Sequence, residues 1–405
     1  MNIWLVEPYY TGSHQAWADG YRDHSRHDVR LLTLPGRFWK WRMQGGAITL
    51  ARRAARLLEK GPADAAQPDL ILASDMLNLP LFLSLAGPPL ETVPVAVYFH
   101  ENQLTYPLQP GEKRDLHYAF INMVSALRAD AVFFNSGYHL EAFFEELPRL
   151  LKHFPDYNEL WLVDTLRARS QVLPLGLDLR RLAGHRPDST GRGQPRILWN
   201  HRWEYDKDPE TFFRAVYRLA EEGLDFELIL LGESFRNWPE EFLEARQRLG
   251  DRIVHFGYAE DVAAYARLLW QADIVVSTAL HEFFGAAVVE ACYCGCLPVL
   301  PHRLAYPELI PEQYHDPCLY RGFDELLARL RRAISDREQG REFSLSQEMD
   351  RFDWHEMAVR YDDVLQEAAR MAMDAGQRGS AGRRSRLGRF QVSEHADDLT
   401  DIGIG

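Results

Sequence analysis

Two glutamates eight positions apart, Glu282 and Glu290, stand where carboxylates could address one ligand rich in hydroxyls. The run Asp273-Ile274-Val275-Val276-Ser277-Thr278 just before them is apolar and β-branched, the composition of a strand buried in a parallel sheet. Glu282 then closes this strand, and Gly285 opens a helix through Val289, Ala291 and Tyr293. Glu290 falls about two turns along it, at ~3.6 residues per turn. That puts the first acid at a strand's carboxyl end, where open α/β sheets bind ligands. The competing reading is two solvated surface acids, the usual fate of Glu. The apolar flanks and Phe283-Phe284-Gly285 argue against it.

Opposite charge comes from Arg202 and Lys207 in His201-Arg202-Trp203-Glu204-Tyr205-Asp206-Lys207-Asp208-Pro209. They follow a strand and precede a helix opened by Asp208-Pro209, a capping residue and a favoured first-turn proline. Two cations there suit a diphosphate and can stabilise it as a leaving group. Gly12 and Ser13, in Glu7-Pro8-Tyr9-Tyr10-Thr11-Gly12-Ser13-His14, can offer backbone N–H groups to a phosphate oxygen. A plain strand-to-helix turn would need the glycine equally. His100, Glu101 and Asn102 end the apolar run from Val95, as a binding or catalytic triplet or around a structural histidine satisfied by backbone. Asn135, Ser136, Gly176 and Asp178 mark other strand ends. Neither a second zincin histidine nor an Asp-x-Asp placed to bridge a nucleotide sugar is present, so no metal site is expected.

The elements that must hold these groups alternate between strand and helix. In the first half, strands are expected at Ile3 to Glu7, Val29 to Leu34, Leu70 to Ser74, Val95 to His100, Ala131 to Asn135 and Gln171 to Leu175. The rhythm breaks over 183–195, rich in Gly, Pro, Ser and Arg, and restarts at Arg196 to Asn200. Further strands follow at Phe226 to Gly232, Ile253 to Tyr258, Ile274 to Ser277 and Leu297 to Leu300, then a helix from Trp354 to Met373. The expected domains are therefore 1–182 and 196–375, joined by the linker 183–195, with a disordered tail over 376–405. Its arginines, Arg378, Arg383, Arg384, Arg386 and Arg389, read better as a solvated tail than as an RNA contact. Two α/β halves imply a ligand cleft between them.

At 405 residues, 46% hydrophobic and 26% charged, the composition is that of a soluble two-domain enzyme. There is no apolar run of ~18 residues and no basic leader, so neither a membrane span nor a signal peptide is expected. Cys292, Cys294 and Cys296 crowd too closely for disulfides, which points to buried free thiols in a reducing cytoplasm. The net charge of −13 excludes broad nonspecific nucleic-acid binding but not a local patch. Arg37, Lys40 and Arg42 interleave with Phe38, Trp39 and Trp41, and Arg52, Arg53 and Arg56 follow. Two readings fit equally: a surface for bases and phosphates, or arginines above buried aromatics.

Glu282 with Glu290, and Arg202 with Lys207, resemble the paired glutamates and diphosphate-binding pair of retaining GT-B glycosyltransferases of family 4. Tyr9 to His14, Trp39 to Arg42, Tyr98 to Leu104, His201 to Pro209, His281 to Gly285 and Tyr293 to Cys296 are similar to the tRNA-queuosine α-mannosyltransferases. The resemblance covers residues 2 to about 370. It implies an α/β GT-B fold, two Rossmann-like parallel-sheet domains facing a central cleft. It further implies transfer of mannose from GDP-mannose to a ring hydroxyl of queuosine in a tRNA anticodon, with retention and without metal or cofactor. Arg202 and Lys207 would hold the diphosphate, Glu282 the sugar hydroxyls and Glu290 the ribose. Phe284 and Gly285 belong to the same donor loop, Gly12 and Ser13 would approach the phosphates, and His100 would line the sugar site near the acceptor. Lys40, Arg42, Glu101 and Asn102 are the acceptor-side candidates. Two other readings are a glycosyltransferase with another nucleotide sugar on a small-molecule, lipid or glycan acceptor, and a catalytically silent tRNA-binding relative.

Overall fold

The protein was analysed as a computed structural model, which describes residues 1–60, 67–109, 111–153, 155–187, 193–232, 239–341 and 343–380. Apolar runs without alternation bury both faces of a strand, and here they build two parallel sheets. The first contains β1 (Asn2–Tyr10), β2 (Asp28–Pro35), β3 (Leu70–Ser74), β4 (Val95–Phe99), β5 (Ala131–Phe134) and β6 (Ser170–Val172), in the order β2-β1-β3-β4-β5-β6. Every residue of β3, β4 and β5 is buried. The second contains β7 (Arg196–Asn200), β8 (Glu227–Leu231), β9 (Ile253–Gly257), β10 (Ile274–Val276), β11 (Leu297–Pro301) and β12 (Leu319–Tyr320), in the order β12-β11-β10-β7-β8-β9. Strand order reverses between β1 and β3 in one sheet and between β7 and β10 in the other. At such points neighbouring loops diverge and open a crevice at the strand carboxyl ends.

The helices that matter for the site are α1 (Gly12–His24), α2 (Trp39–Lys60), α3 (Gly137–Leu151), α4 (Pro209–Glu221), α5 (Val262–Gln271), α6 (Ala286–Tyr293) and α7 (Trp354–Ser380). Although α7 follows the second sheet in sequence, it packs on the first half. Trp17 Nε1 of α1 donates to Tyr361 Oη at 3.2 Å, and Tyr21 Oη donates to Asp362 at 2.9 Å. The Trp354 indole lies so close to Gly20 and Gly176 that a Cβ on either would fall 1.9 or 2.5 Å from it. Grouping 354–373 with the second domain therefore describes chain order, not packing. The buried face of α7 (Trp354, Met357, Ala358, Tyr361, Leu365) has helical spacing and joins one continuous core with residues of both halves.

Several boundaries differ from the sequence expectation. β6 ends at Val172 because its neighbour β5 ends at Phe134, whose carbonyl accepts the last ladder bond from Leu173 N at 2.8 Å. β12 is two residues long, too short to show a period. β10 stops at Val276, so Glu282 lies in the following loop rather than closing the strand. Helix α7 continues to Ser380, past the expected start of the tail. The rest of that tail, 381–405, and residues 188–192 of the linker lie outside the described residues. Cys292, Cys294, Cys296 and Cys318 are all free and buried. Among the described residues, no helix is long and apolar enough to cross a membrane.

Candidate active site

The loops after β7 and β10 meet at the second sheet's reversal point. Thr278 Oγ1 lies 2.8 Å from the carbonyl oxygens of both Lys207 and Asp208, and Leu280 N donates to Asp206 O at 2.8 Å. Asp208 caps α4 by accepting from Thr211 N at 3.2 Å, with Pro209 in the first turn as its sequence predicts. Lys207 is thereby held almost fully buried. Its Nζ donates to His281 O at 2.8 Å and lies 3.3 Å from Asp206 Oδ2 and 3.4 Å from Glu282 Oε2. Burial alone would raise the Glu282 pKa. Lys207, aided by His201 and His281, outweighs burial and holds it below the ordinary value. Arg202 is freer, 46% exposed, with Nη2 3.3 Å from Glu204 and 3.4 Å from Tyr106 Oη. The meeting of these two loops thus pairs Lys207 with Glu282 and sets Arg202 in the same loop as Lys207, an arrangement able to bind an anion and polar hydroxyls side by side.

Glu290 stands apart from that cluster in a network of its own. Tyr265 Oη on α5 donates to Glu290 Oε2 at 2.6 Å, and Asn200 Nδ2 at the end of β7 donates to Tyr265 Oη at 2.9 Å. Burial pushes the Glu290 carboxyl up to about 7. Between the two acids, Gly285 sits at φ +100°, the left-handed region that glycine adopts without strain, and starts α6. Phe284, read from sequence as donor-binding, is buried against Phe352 at 5.4 Å. Its side chain belongs to the core, leaving only its backbone to line the loop.

At the first sheet's reversal point the loop after β1 faces the ends of β3 and β4. Glu7 is wholly buried and accepts from Tyr9 N at 2.6 Å and from the His14 ring at 2.9 Å. Burial lowers the His14 pKa, but Glu7, with Asp75 and Glu101, outweighs it and holds the ring at about 9, so His14 is an imidazolium. Its ring lies 4.2 Å from that of His100. His100 also packs edge-on against Trp17, and burial pushes its pKa well below the usual value, leaving it neutral. Its backbone N donates to Asp75, whose carboxyl is raised by burial. Ligand-capable atoms of Glu7, His14 and His100 lie within 4.8 Å of one another, but the Glu7–His14 hydrogen bond already satisfies that pair. Gly12 (φ +51°) and Ser13 are exposed and form the start of α1 itself, not a loop before it.

Glu101 accepts from Gln103 Nε2 at 3.0 Å and is raised by burial. Asn102 is fully buried, and its side-chain oxygen accepts from Leu104 N, Thr105 N and Thr105 Oγ1. That oxygen builds the 102–105 turn, and the buried Nδ2 has no hydrogen-bond partner among the described residues. Lys40 and Arg42 lie on α2 beside this region; Lys40 Nζ sits 5.6 Å over the Trp39 ring, and Arg42 Nε donates to Pro35 O at 3.0 Å.

The two halves touch across the cleft. Ser136 Oγ donates to Phe283 O at 2.6 Å, and His139 stacks on Phe283 at 3.9 Å. The Glu308 carboxylate accepts from Gly137 N and Tyr138 N at the start of α3. The Tyr106 ring lies 5.3 Å from His281. Sequence reasoning singled out neither Asp75 nor Tyr106, Tyr265 or Glu308. Ser74-Asp75 carries the same signal as His100, polar residues directly after an apolar strand; the other three are visible only in three dimensions.

Comparison with known proteins adds to this geometry. A family model described as the N-terminal part of tRNA-queuosine alpha-mannosyltransferase matches residues 2–177, and one described as glycosyl transferases group 1 matches 185–346. A tRNA-queuosine alpha-mannosyltransferase of Drosophila melanogaster is 33% identical over 376 residues, 90% of this chain and 96% of the fly protein. A GDP-mannose-dependent phosphatidylinositol dimannoside mannosyltransferase of Mycobacterium tuberculosis is 27% identical over 48% of this chain and 52% of that one. In fold, the chain is similar to Anabaena HepE in complex with UDP (TM-score 0.64, 17% identity, 91% of this chain and 100% of that one).

Proposed function

Because this chain belongs to the tRNA-queuosine alpha-mannosyltransferase family, we propose that it transfers mannose from GDP-mannose to a cyclopentenediol hydroxyl of queuosine in a tRNA anticodon, with retention at the anomeric carbon. It is a hexosyltransferase of the GT-B fold: the group 1 glycosyltransferase match and the two facing parallel sheets agree. The observation that carries the mechanism is the buried Lys207, fixed by His281 O and Glu282 at the second sheet's reversal point. With Arg202 it forms a cationic wall for the donor diphosphate, and it stabilises the charge that grows on GDP as the glycosidic bond breaks. No resident metal or cofactor is assigned to that task.

Glu282 accepts from sugar hydroxyls, and Glu290 accepts from the ribose in place of Tyr265. Backbone groups of Gly12, Ser13 and Gly285 approach the phosphates. Neutral His100, backed by the His14–Glu7 pair, and Glu101 stand on the acceptor side. The departing phosphate oxygen takes the proton of the attacking hydroxyl on the same face, so no protein nucleophile is required. Lys40 and Arg42 add positive charge for the tRNA backbone, and a tRNA acceptor fits a cytoplasmic protein.

GDP-mannose is favoured as donor because the mycobacterial relative is named for it. The test is a panel of GDP-mannose, GDP-fucose, UDP-glucose and UDP-galactose, each followed for consumption, with NMR of the product's anomeric centre. GDP-mannose alone should be consumed and the mannoside should be α. A preference for a UDP-sugar, or a β product, would refute the assignment.

A further inference from the structure

Over residues 37–56 the chain carries six basic side chains (Arg37, Lys40, Arg42, Arg52, Arg53 and Arg56) and no acid, against a net charge of −13 overall. Elsewhere many arginines are tied to carboxylates, such as Arg26 to Asp363, Arg167 to Glu141 and Arg331 to Glu222. Among the described residues none of these six has a carboxylate partner, although Arg42 and Arg53 each donate to a backbone carbonyl.

The aromatic residues of the same stretch divide. Trp39 turns inward, 5.1 Å from Tyr118. Phe38 and Trp41 turn outward, 80% and 59% exposed. Phe38 does so at φ +54°, a left-handed conformation that is unfavourable for a bulky side chain and that its own packing does not compensate. The Trp41 indole lies along the helix over Gly45, where a Cβ would come 2.5 Å from the ring. Exposed Ile48 continues the strip, because positions 41, 45, 48 and 52 share one helix face. The strip stands at the cleft mouth: Pro35 at the end of β2 pairs with Tyr10, and Gly36 packs against Thr11 beside the Tyr10–Ser13 turn.

We propose that this strip receives the anticodon loop of the acceptor RNA, Phe38 and Trp41 stacking on unpaired bases beside the modified nucleotide while Arg37, Lys40, Arg52 and Arg56 contact loop phosphates. The inference rests on the RNA acceptor proposed above and adds to it the surface and the mode of recognition. Single-stranded loops are read by stacking splayed bases on aromatic rings amid cationic side chains, which is the composition of this face. Charge disfavours a second copy of this chain: a two-fold contact would set six positive charges against the same six.

The test measures binding of a queuosine-containing tRNA, and of its isolated anticodon stem-loop, to the full chain at two salt concentrations. The variants are Phe38→Ala, Trp41→Ala, the double variant, Gly45→Ala and Arg52→Glu with Arg56→Glu; GDP binding and thermal melting check that each is folded. Each lost ring should weaken affinity roughly 5- to 100-fold with an unchanged salt slope. The arginine pair should weaken it while flattening the slope by about 1.5, and Gly45→Ala, which displaces the indole, should follow Trp41→Ala. If the unaltered protein binds and modifies tRNA but the folded Phe38/Trp41 double variant binds equally well, the strip assignment fails and the functional reading stands. Failure of the unaltered protein to bind tRNA overturns both. A dimer in sedimentation that Trp41→Ala dissolves assigns the face to a second copy and overturns the RNA assignment.

Discussion

Replacing Lys207 by Met removes a cation shared by Asp206 at 3.3 Å and Glu282 at 3.4 Å. Asp206 is 4% exposed in its side chain, so breaking the pair leaves a buried carboxylate without compensation, at a cost of about 3–5 kcal/mol. Glu282 keeps 22% exposure and some hydration, so it adds less. A catalytic loss comes on top. A preorganised positive group over developing charge accounts for roughly 10²–10³ in kcat, about 2.7–4 kcal/mol. Lys207→Met alone therefore lowers both stability and transfer, and its failure would not distinguish the two. The double variant Asp206→Asn with Lys207→Met does. It removes both charges of the closest pair, so urea unfolding should recover to within ~1–2 kcal/mol of the unaltered protein. Transfer from GDP-mannose should stay down by roughly 10²–10³ in kcat/KM. A double variant that regains transfer together with stability would make Lys207 a structural counter-ion, and the donor-site reasoning would be wrong.

Glu290, raised to about 7 by burial, accepts a ribose hydroxyl more strongly as the carboxylate than as the neutral acid, so GDP affinity should weaken below pH 7, by at most about tenfold per unit. Isothermal titration between pH 5.5 and 8 reads this, and Glu290→Gln should abolish the pH dependence. The His14 pKa near 9 lies above its unfolded value of about 6.5. Its contribution to stability is therefore fully present below 6.5 and lost as pH rises through 9. The melting temperature should fall across that window, and less steeply in His14→Gln. Trp354→Ala should cost about 3–5 kcal/mol in urea unfolding by emptying the space against Gly20 and Gly176. Glu308→Ala leaves the Gly137 and Tyr138 N–H groups without their acceptor across the cleft, a loss of about 0.5–2 kcal/mol. Small-angle scattering of that variant should show a larger radius of gyration, and an unchanged one would refute a holding role.

The sheets were legible because their strands are long apolar runs buried on both faces; β3, β4, β5 and β7 lie within a residue of their expected bounds. The donor-side charges were legible for a related reason. Arg202 and Lys207 lie in the loop after the apolar β7 and Glu282 in the loop after the apolar β10, two to seven residues past the strand ends, where a charge has few structural uses. Packing direction was not legible. Nothing in the spacing of Trp354, Tyr361 and Asp362 says that their partners are Trp17 and Tyr21, more than 300 residues away. Side-chain orientation was hidden too. Phe284 and Asn102 carry site-like neighbours yet point into the core and into a turn, whereas Trp39 and Trp41, two positions apart, face opposite ways. Glu290 was found by spacing, but its Tyr265 and Asn200 partners come from other elements and leave no local trace.

The central claim is transfer of mannose to queuosine. Its most direct test is incubation of the purified chain with GDP-mannose and tRNA from cells that do, and cells that do not, make queuosine, followed by nucleoside mass spectrometry. A hexose should appear on queuosine, and only in the tRNA that contains it. A hexose on another nucleoside, or GDP-mannose hydrolysed with queuosine left unmodified, would contradict the claim.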